Sequence, residues 1–402
     1  MEVIEIKGKV NTALCYAKVV EDEAIEQVRR MCDYPMTAGS KIRIMPDVHS
    51  GKGCTIGTTM TITDKVVPNV VGVDIGCGMY TVELGKGEID YMQVDVAAHY
   101  IPSGKNVWPG RQEQFDLTEL KCYRSLKDSK RLVRSLGTLG GGNHFIEIDE
   151  GADGTKYLVI HSGSRNLGKQ VAEYYQKLAV NLDRGYETYV EKRDEIIRTY
   201  KEEGRRSEIE AALKALKWSV FEGESSMPSD LCYLYGTYLE DYLHDVEICQ
   251  AFARRNRELM AEILCEKAGL VMGEAFHTIH NYIDTEEMIL RKGSIAAPEG
   301  EKVLIPINMR DGSIIAIGKG NPEWNYSAPH GAGRVMSRTK AKETLTMEEY
   351  QAAMKDVFTT SVNEDTLDEA PMAYKSLEDI IDVIAESVDV VEVIKPRYNF
   401  KA

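Results

Sequence analysis

Histidine, cysteine and acidic side chains in this chain gather at the ends of short apolar runs, beside glycine or asparagine. Such places expose a reactive group while a rigid strand holds it. In VVGVDIGCGM, Asp74 and Cys77 stand three residues apart among Gly72, Gly76 and Gly78. A carboxylate and a thiolate at that spacing, with glycines that let the backbone fold closely round an ion, suit a metal loop at the end of a strand. Thiolate also bridges two ions. In GTLGGGNHFIEI, Gly140, Gly141 and Gly142 precede Asn143, His144 and Glu147. Here the glycines offer backbone N–H groups to an anion, and strand alternation sends Asn143 and His144 to different partners. YLVIHSGSRNLG sets His161 at the end of an apolar run, followed by Gly163, Ser164, Arg165 and a helix, the strand–turn–helix arrangement that binds phosphate.

Three further motifs extend the set. FHTIHNYID carries His277, His280 and Asn281. A spacing of three suits one helical face, while Phe276, Ile279 and Tyr282 suit a strand or loop equally well; one ligand, His280, is expected rather than two. NYSAPHGAGRVMSR places His330 between Pro329 and Gly331, Ala332, Gly333 and Arg334. Those neighbours let a large group approach the imidazole while arginine meets its charge. MPDVHSGKG, with Asp47, His49 and Lys52, reads either as a phosphate site or as a structural turn. Together Asp74, Cys77, His144, His161 and His280 supply ligands for two metal ions. Their softness favours Mn, Fe, Co, Ni or Zn over Mg.

These residues need a scaffold. From residue 1 to about 165, runs such as KIRIMP, TMTIT, NVVGVDIG, MYTVEL, NHFIEI and YLVIHS predict strands. From about 166 to 270 a helical period takes over, broken at FEGESSMPSD, and predicts a helical insertion that packs on the sheet or covers a site. KVLIPINM and SIIAIGKG return to strands, and helices are predicted near 341–358 and 376–388. Strands flanking helices without regular alternation argue for an α+β fold, with a strand-rich core, the helical insertion and a C-terminal strand and helix region.

Composition bounds the function. At 402 residues, 43% hydrophobic and 28% charged, the chain is an ordinary globular protein. No apolar run is long enough to span a bilayer and the N-terminus lacks a signal-peptide core, so the cytoplasm and no membrane partner are expected. Eight cysteines without close pairing suit reduced thiols. A net charge of -15 argues against a surface that attracts polyanions everywhere. Locally the balance reverses: Lys121 to Arg134 holds six basic residues against Asp128, and Arg165, Lys169, Arg334, Arg338 and Lys340 lie beside the glycine-rich motifs. That pattern suits a phosphate-containing substrate, or a solvated face.

The motifs VDIGCGM, GGGNHFIE, HSGSRNLG, HNYI and SAPHGAGRVMSR closely resemble the RtcB RNA ligases, and the match runs from MPDVHSGKG to the C-terminal VIKPRYNFKA. The resemblance implies one RtcB-like catalytic domain over residues 1–402. It implies that Asp74, Cys77 and His280 hold one manganese ion while Cys77, His144 and His161 hold the other, with Cys77 bridging. By the same resemblance His330 becomes guanylylated. Guanine-nucleotide contacts would come from Asn143, His280, Asn281, Pro306, Ile307, Asn308, Met309, Ser313, His330, Gly331, Ala332, Gly333 and Lys401. Near residue 306 the family pattern is Pro-Gly-Ser-Met, whereas this chain reads Pro306, Ile307, Asn308, Met309, Arg310; the change bears on those contacts.

The activity implied is a GTP- and Mn-dependent joining of RNA 3′-phosphate or 2′,3′-cyclic phosphate ends to 5′-hydroxyl ends through a histidine-GMP intermediate. Its substrates would be tRNA halves or cleaved RNA, in tRNA splicing or RNA repair, with an archease-like protein as a partner. Two other classes remain in view. A two-metal phosphodiesterase or phosphatase would turn over without GTP, and a non-catalytic RNA-repair subunit would bind RNA without taking up nucleotide.

Overall fold

Seven strands build the sheet that carries the site, in the spatial order Ala275–Ile279, Gly78–Gly85, Lys156–Ser162, Phe145–Glu150, Val388–Lys401, Gly312–Gly318 and Lys302–Asn308. They belong to a computed structural model that describes residues 3–51, 53–221 and 225–401. Each neighbouring pair is antiparallel. The outermost strands meet where Leu304 N–H donates to the Thr278 hydroxyl at 3.0 Å, so the sheet curls into a nearly closed barrel.

Period-two alternation decides what enters that barrel. Ile146, Ile148, Leu158 and Ile160 face outward into an apolar cluster with the helix Tyr91–Tyr100 and the end of Gly236–Ala268. The alternate positions Phe145 and Val159 turn inward with Met79, Leu304, Ile315 and Ile394. Glu147 and Asp149 share the inward face of Phe145 by the same alternation, and both are buried.

A second, six-stranded sheet runs Ile4–Lys7, Thr12–Cys15, Ile42–His49, Ile56–Thr61, Ile289–Lys292, Asn281–Asp284. The helix Gly236–Ala268, 33 residues and so about 50 Å long, ties the two sheets together. Cys249 and Phe252 pack in the core beside the second sheet, while Met260, Ala261 and Leu264 pack on the barrel. Arg165–Asp183, Tyr186–Glu202 and Ile209–Phe221 fill the rest of the stretch expected to be helical. Of the expected break FEGESSMPSD, Glu222, Gly223 and Glu224 lie outside the described residues, as does Lys52. Among the described residues no helix is long and apolar enough to cross a membrane.

The fold is α+β, and three local expectations change. NVVGVDIG is not a strand: Pro68 at the first helical position starts the short helix Pro68–Val71, and Gly72, at φ 97°, ends it. Asp74 and Cys77 therefore sit on a turn. The helix expected near 341–358 is two, Arg338–Thr344 and Met347–Ala353, because Thr346 and Glu349 form a capping box that starts a new one. The helix expected at 376–388 shortens to Leu377–Ile384, and the chain ends in a 14-residue strand, Val388–Lys401, with a register shift between Pro396 and Tyr398. Proline without an N–H obscures that strand in the sequence and is accommodated by the irregularity.

Candidate active site

The antiparallel register brings the reactive residues to one rim of the barrel. Met79 and Phe145 both lie opposite His161, Lys401 lies opposite Phe145, and Gly78 lies opposite both Ser162 and Ile279. Cys77, His144 and His280 each stand one residue outside a strand end at that rim. Cys77 Sγ is 3.4 Å from His144 Nε2 and 3.3 Å from His161 Nε2, and His161 Nε2 is 3.4 Å from His280 Nε2. Asp74 Oδ2 is 3.0 Å from His144 Nε2.

The same five ligands group differently from the expected division. Cys77, His161 and His280 form one triplet and Asp74, Cys77 and His144 the other, each with its ligand atoms within 4.8 Å of one another. Asp74 thus pairs with His144 and not with His280. The reason lies in the turn after His161: Ser164 N–H donates to Asp74 Oδ1 at 3.1 Å and aims the second oxygen at His144. Gly163 makes this possible, since a Cβ there would lie 2.2 Å from Asp74 Oδ1. The expected phosphate cradle at this helix start is therefore occupied by a carboxylate of the chain itself.

The donor set fits cations. His144 Nδ1 lies 2.9 Å from the Leu139 carbonyl and His161 Nδ1 3.0 Å from that of Asn143, so each ring is anchored through Nδ1 and turns Nε2 to the cluster, where a bound cation would take its lone pair. Burial, then His280 and His144, hold His161 well below its usual pKa; burial, then His330, does the same for His280. The thiol has one proton for the two Nε2 atoms beside it, whereas a cation among these donors would serve all of them. Burial, then the charge of Asp74, pushes the Cys77 thiol well up, and a bound cation would displace its proton. Burial would raise Asp74, but the bond to His144 and its charge hold that carboxyl below the usual range.

Two residues hold the loops of this cluster in place and escaped the sequence reading. Asn256 Oδ1 accepts from Gly137 N and Thr138 N, and its amide donates to Thr138 O, Ser162 Oγ and Gly163 O. Arg257, fully buried and lowered by that burial to about 10, donates to Gly76 O at 2.7 Å and Ser162 O at 2.8 Å. Their signal was a polar pair on the apolar stripe of a helix with Cys249, Phe252, Ala253 and Met260. Of the three glycines after Leu139, Gly140 also serves packing: a Cβ there would lie 2.0 Å from Arg165 Nη1 and 2.6 Å from His144 Nδ1.

His277, on the outward face of its strand, stacks on Tyr80 and bonds Glu258 Oε1 at 3.1 Å. FHTIHNYID is thus strand, with one histidine at the cluster. His277→Ala is expected to leave cation content unchanged and to cost about 1–2 kcal/mol of stability, checked by elemental analysis and a urea melt.

His330 follows the short strand Ser327–Pro329, and its ring centroid is 5.1 Å from that of His280. Its Nδ1 lies 2.6 Å from Oδ2 of Asp47, which also accepts from His330 N at 3.2 Å. Asp47 is fully buried, at the end of the MPDVHSGKG motif's strand. That motif is a partner of the nucleophile candidate.

A cavity of about 210 Å³ opens at this rim, lined by Asn143, Phe145, Glu147, Pro306, Ile307, Asn308, Met309, His330, Gly331, Ala332, Gly333 and Lys401 among others. Arg334, Arg338, Glu369, Tyr374 and Asn399 also line it, and the last three were missed. Three expected nucleotide contacts stand elsewhere. His280 is buried behind His330 in the cation cluster. Asn281 accepts from Gly293 N through Oδ1 and from Gly76 N through its carbonyl, bracing the second sheet. Ser313 is fully buried in the barrel wall opposite Pro306. The altered loop is rigid: Asn308 Oδ1 accepts from Arg310 N and Asp311 N, and Met309 is buried against Tyr350 and Met354. Of the basic groups noted earlier, Arg131, Arg165 and Lys169 line a separate hollow with Lys105.

A barrel rim with two ligand triplets sharing a thiol, beside a histidine held by a buried carboxylate, defines a candidate two-cation centre with a histidine poised next to it. The chain belongs to the RtcB family: the family model described as tRNA-splicing ligase RtcB matches residues 27–99 and 112–402. It is 32% identical to RNA-splicing ligase RtcB1 of Escherichia coli strain ATCC 25922 and 31% identical to RNA-splicing ligase RtcB of strain K12, each over 93% of this chain and 92% of the relative. It is 27% identical to the tRNA-splicing ligase RtcB of Aeropyrum pernix, over 85% of this chain and 83% of the relative.

Proposed function

We propose that the protein is a GTP-dependent RNA ligase that carries GMP on His330 and joins RNA 3′-phosphate or 2′,3′-cyclic phosphate ends to 5′-hydroxyl ends. The observation that carries this reading is the Asp47–His330 pair. A carboxylate at 2.6 Å fixes the proton on Nδ1, and Nε2 is left as a neutral nucleophile at a cavity lined by glycines and arginines. Nε2 attacks the α-phosphorus of GTP; the N–P bond forms, the bond to the bridging oxygen breaks, and pyrophosphate leaves. GMP then passes to the RNA 3′-phosphate, the 5′-hydroxyl attacks that activated phosphate, and GMP departs.

Asp74, Cys77, His144, His161 and His280 would hold two manganese ions, which neutralise phosphate charge when bound. Arg334 and Arg338 line the cavity in ion pairs with Glu369 and Asp368, and would turn toward an incoming phosphate. The floor suits guanine: the Glu147 carboxylate accepts from the N1–H and 2-amino edge, Lys401 donates to O6, and Phe145 lies beside them. The hollow of Lys105, Arg131, Arg165 and Lys169 suits the RNA backbone. Cytoplasmic tRNA splicing or RNA repair, with an archease-like activator, is the setting that the family suggests.

The test is ligation of RNA bearing a 3′-phosphate to RNA bearing a 5′-hydroxyl, with GTP and Mn²⁺. Joined product that requires GTP is expected. Cleavage or phosphate release without GTP would favour a two-metal phosphodiesterase, and RNA binding without product a non-catalytic subunit. Asp47→Asn is expected to slow GMP uptake about a thousandfold. The amide donates to Nδ1 and moves the ring proton onto Nε2, which burst kinetics with labelled GTP would show.

A further inference from the structure

Glu147 is not alone inside the barrel. Asp149 lies two residues, roughly 7 Å, further from the rim on the same face of the strand. It is fully buried and outside the cavity lining. Neither Asp149 oxygen meets an N–H or O–H donor among the described residues. What it does meet is the Glu147 carboxyl, which on its other side accepts from the Asn399 amide at 2.6 Å. Two buried carboxyls in contact share a proton rather than both ionise.

The surroundings say which one holds it. Asn399 donates to Glu147, and Lys401, whose ammonium is ion-paired with buried Glu369, stands on the same side; Lys395, facing Asp149, donates its ammonium to the Asp311 carbonyl. Tyr157, opposite Asp149 in the register, turns its hydroxyl to Glu392. Across the barrel Met79, Leu304, Ile315 and Ile394 are apolar. The Asn399 donor, with Lys401 behind it, thus favours ionised Glu147 over ionised Asp149. Burial, then Glu147's charge, pushes Asp149 well above the carboxylate range, and burial lifts Glu147 to about 7.

We propose that Asp149 is a positioning residue for nucleotide recognition: it stays protonated and donates to Glu147, keeping the latter's carboxylate charged and aimed at the guanine edge. This rests on the guanine reading of the cavity given above. Glu147 must be ionised to accept two donors, so affinity is full above its folded pKa and is lost as pH falls through it. Removing the donated proton makes that ionisation harder.

The experiment is calorimetric titration of the full chain with GMP and Mn²⁺, from about pH 6 to 8.5, for wild type, Asp149→Leu and Asp149→Asn. In Asp149→Leu the acid limb moves up by about one pH unit, with Kd at neutral pH raised about tenfold and wild-type affinity regained at high pH. Asp149→Asn, whose amide donates where the acid proton did, keeps the wild-type limb. An unmoved limb in the leucine variant would overturn the proposal. So would an asparagine limb displaced to lower pH, which means that Asp149 had carried charge; this second arm decides the matter if the leucine variant does not fold. Wild type that binds no GMP at any pH would sink the guanine reading and this inference with it.

Discussion

Cys77→Ala is expected to lose both cations at once. The sulfur belongs to each ligand triplet, so its removal leaves Asp74 with His144 and His161 with His280, two donors apiece. Two neutral or singly charged donors do not hold a divalent ion against water. On the two-manganese proposal, Mn²⁺ at a hundredfold excess over its Kd would stabilise the wild-type fold by about 2.7 kcal/mol per site; that increment should vanish in the variant. A buried thiol exchanged for a methyl group leaves a small void, so the variant should fold without metal. Elemental analysis and thermal melts with and without Mn²⁺ check this. A variant that still binds two ions per chain would show that the shared sulfur is not a ligand.

His330→Ala is expected to do the reverse: cations bound as in wild type, chemistry gone. None of the five ligands is replaced, Asp47 keeps the backbone N–H of residue 330, and the loop stays anchored where Ala332 N–H donates to the Pro306 carbonyl. With no nitrogen to accept GMP, joining should fall at least about 10⁴-fold. A single-turnover ligation assay measures it. The two variants separate loss of metal from loss of the nucleophile: Cys77→Ala should lose cations and joining together, His330→Ala joining alone.

Much of this site was legible because its ligands stand at strand ends flagged by glycine and asparagine. Cys77, His144, His161 and His280 were readable one motif at a time. How they divide was not, because the division depends on antiparallel register and on the Ser164 N–H that turns Asp74 toward His144. Asp47 was visible as a residue but not as a partner, since 283 positions separate it from His330. The turn at Asp74 was mistaken for strand because Val70, Val71 and Val73 are β-branched, and only Pro68 and Gly72 betray the helix between them. Asn281 was expected at the nucleotide from the family motif, yet it opens a strand of the second sheet and is not among the residues lining the cavity. The final strand escaped because Pro396 interrupts its pattern, and with it went Asn399 and the inward face of the barrel.

The central measurement is to incubate the protein with Mn²⁺ and α-labelled GTP, denature it, and map the label by peptide sequencing. Label on the peptide that contains His330, lost in acid and stable in alkali, is the signature of a P–N bond to imidazole. Equal labelling of His330→Ala, or a bond that survives acid and breaks in alkali, would contradict it.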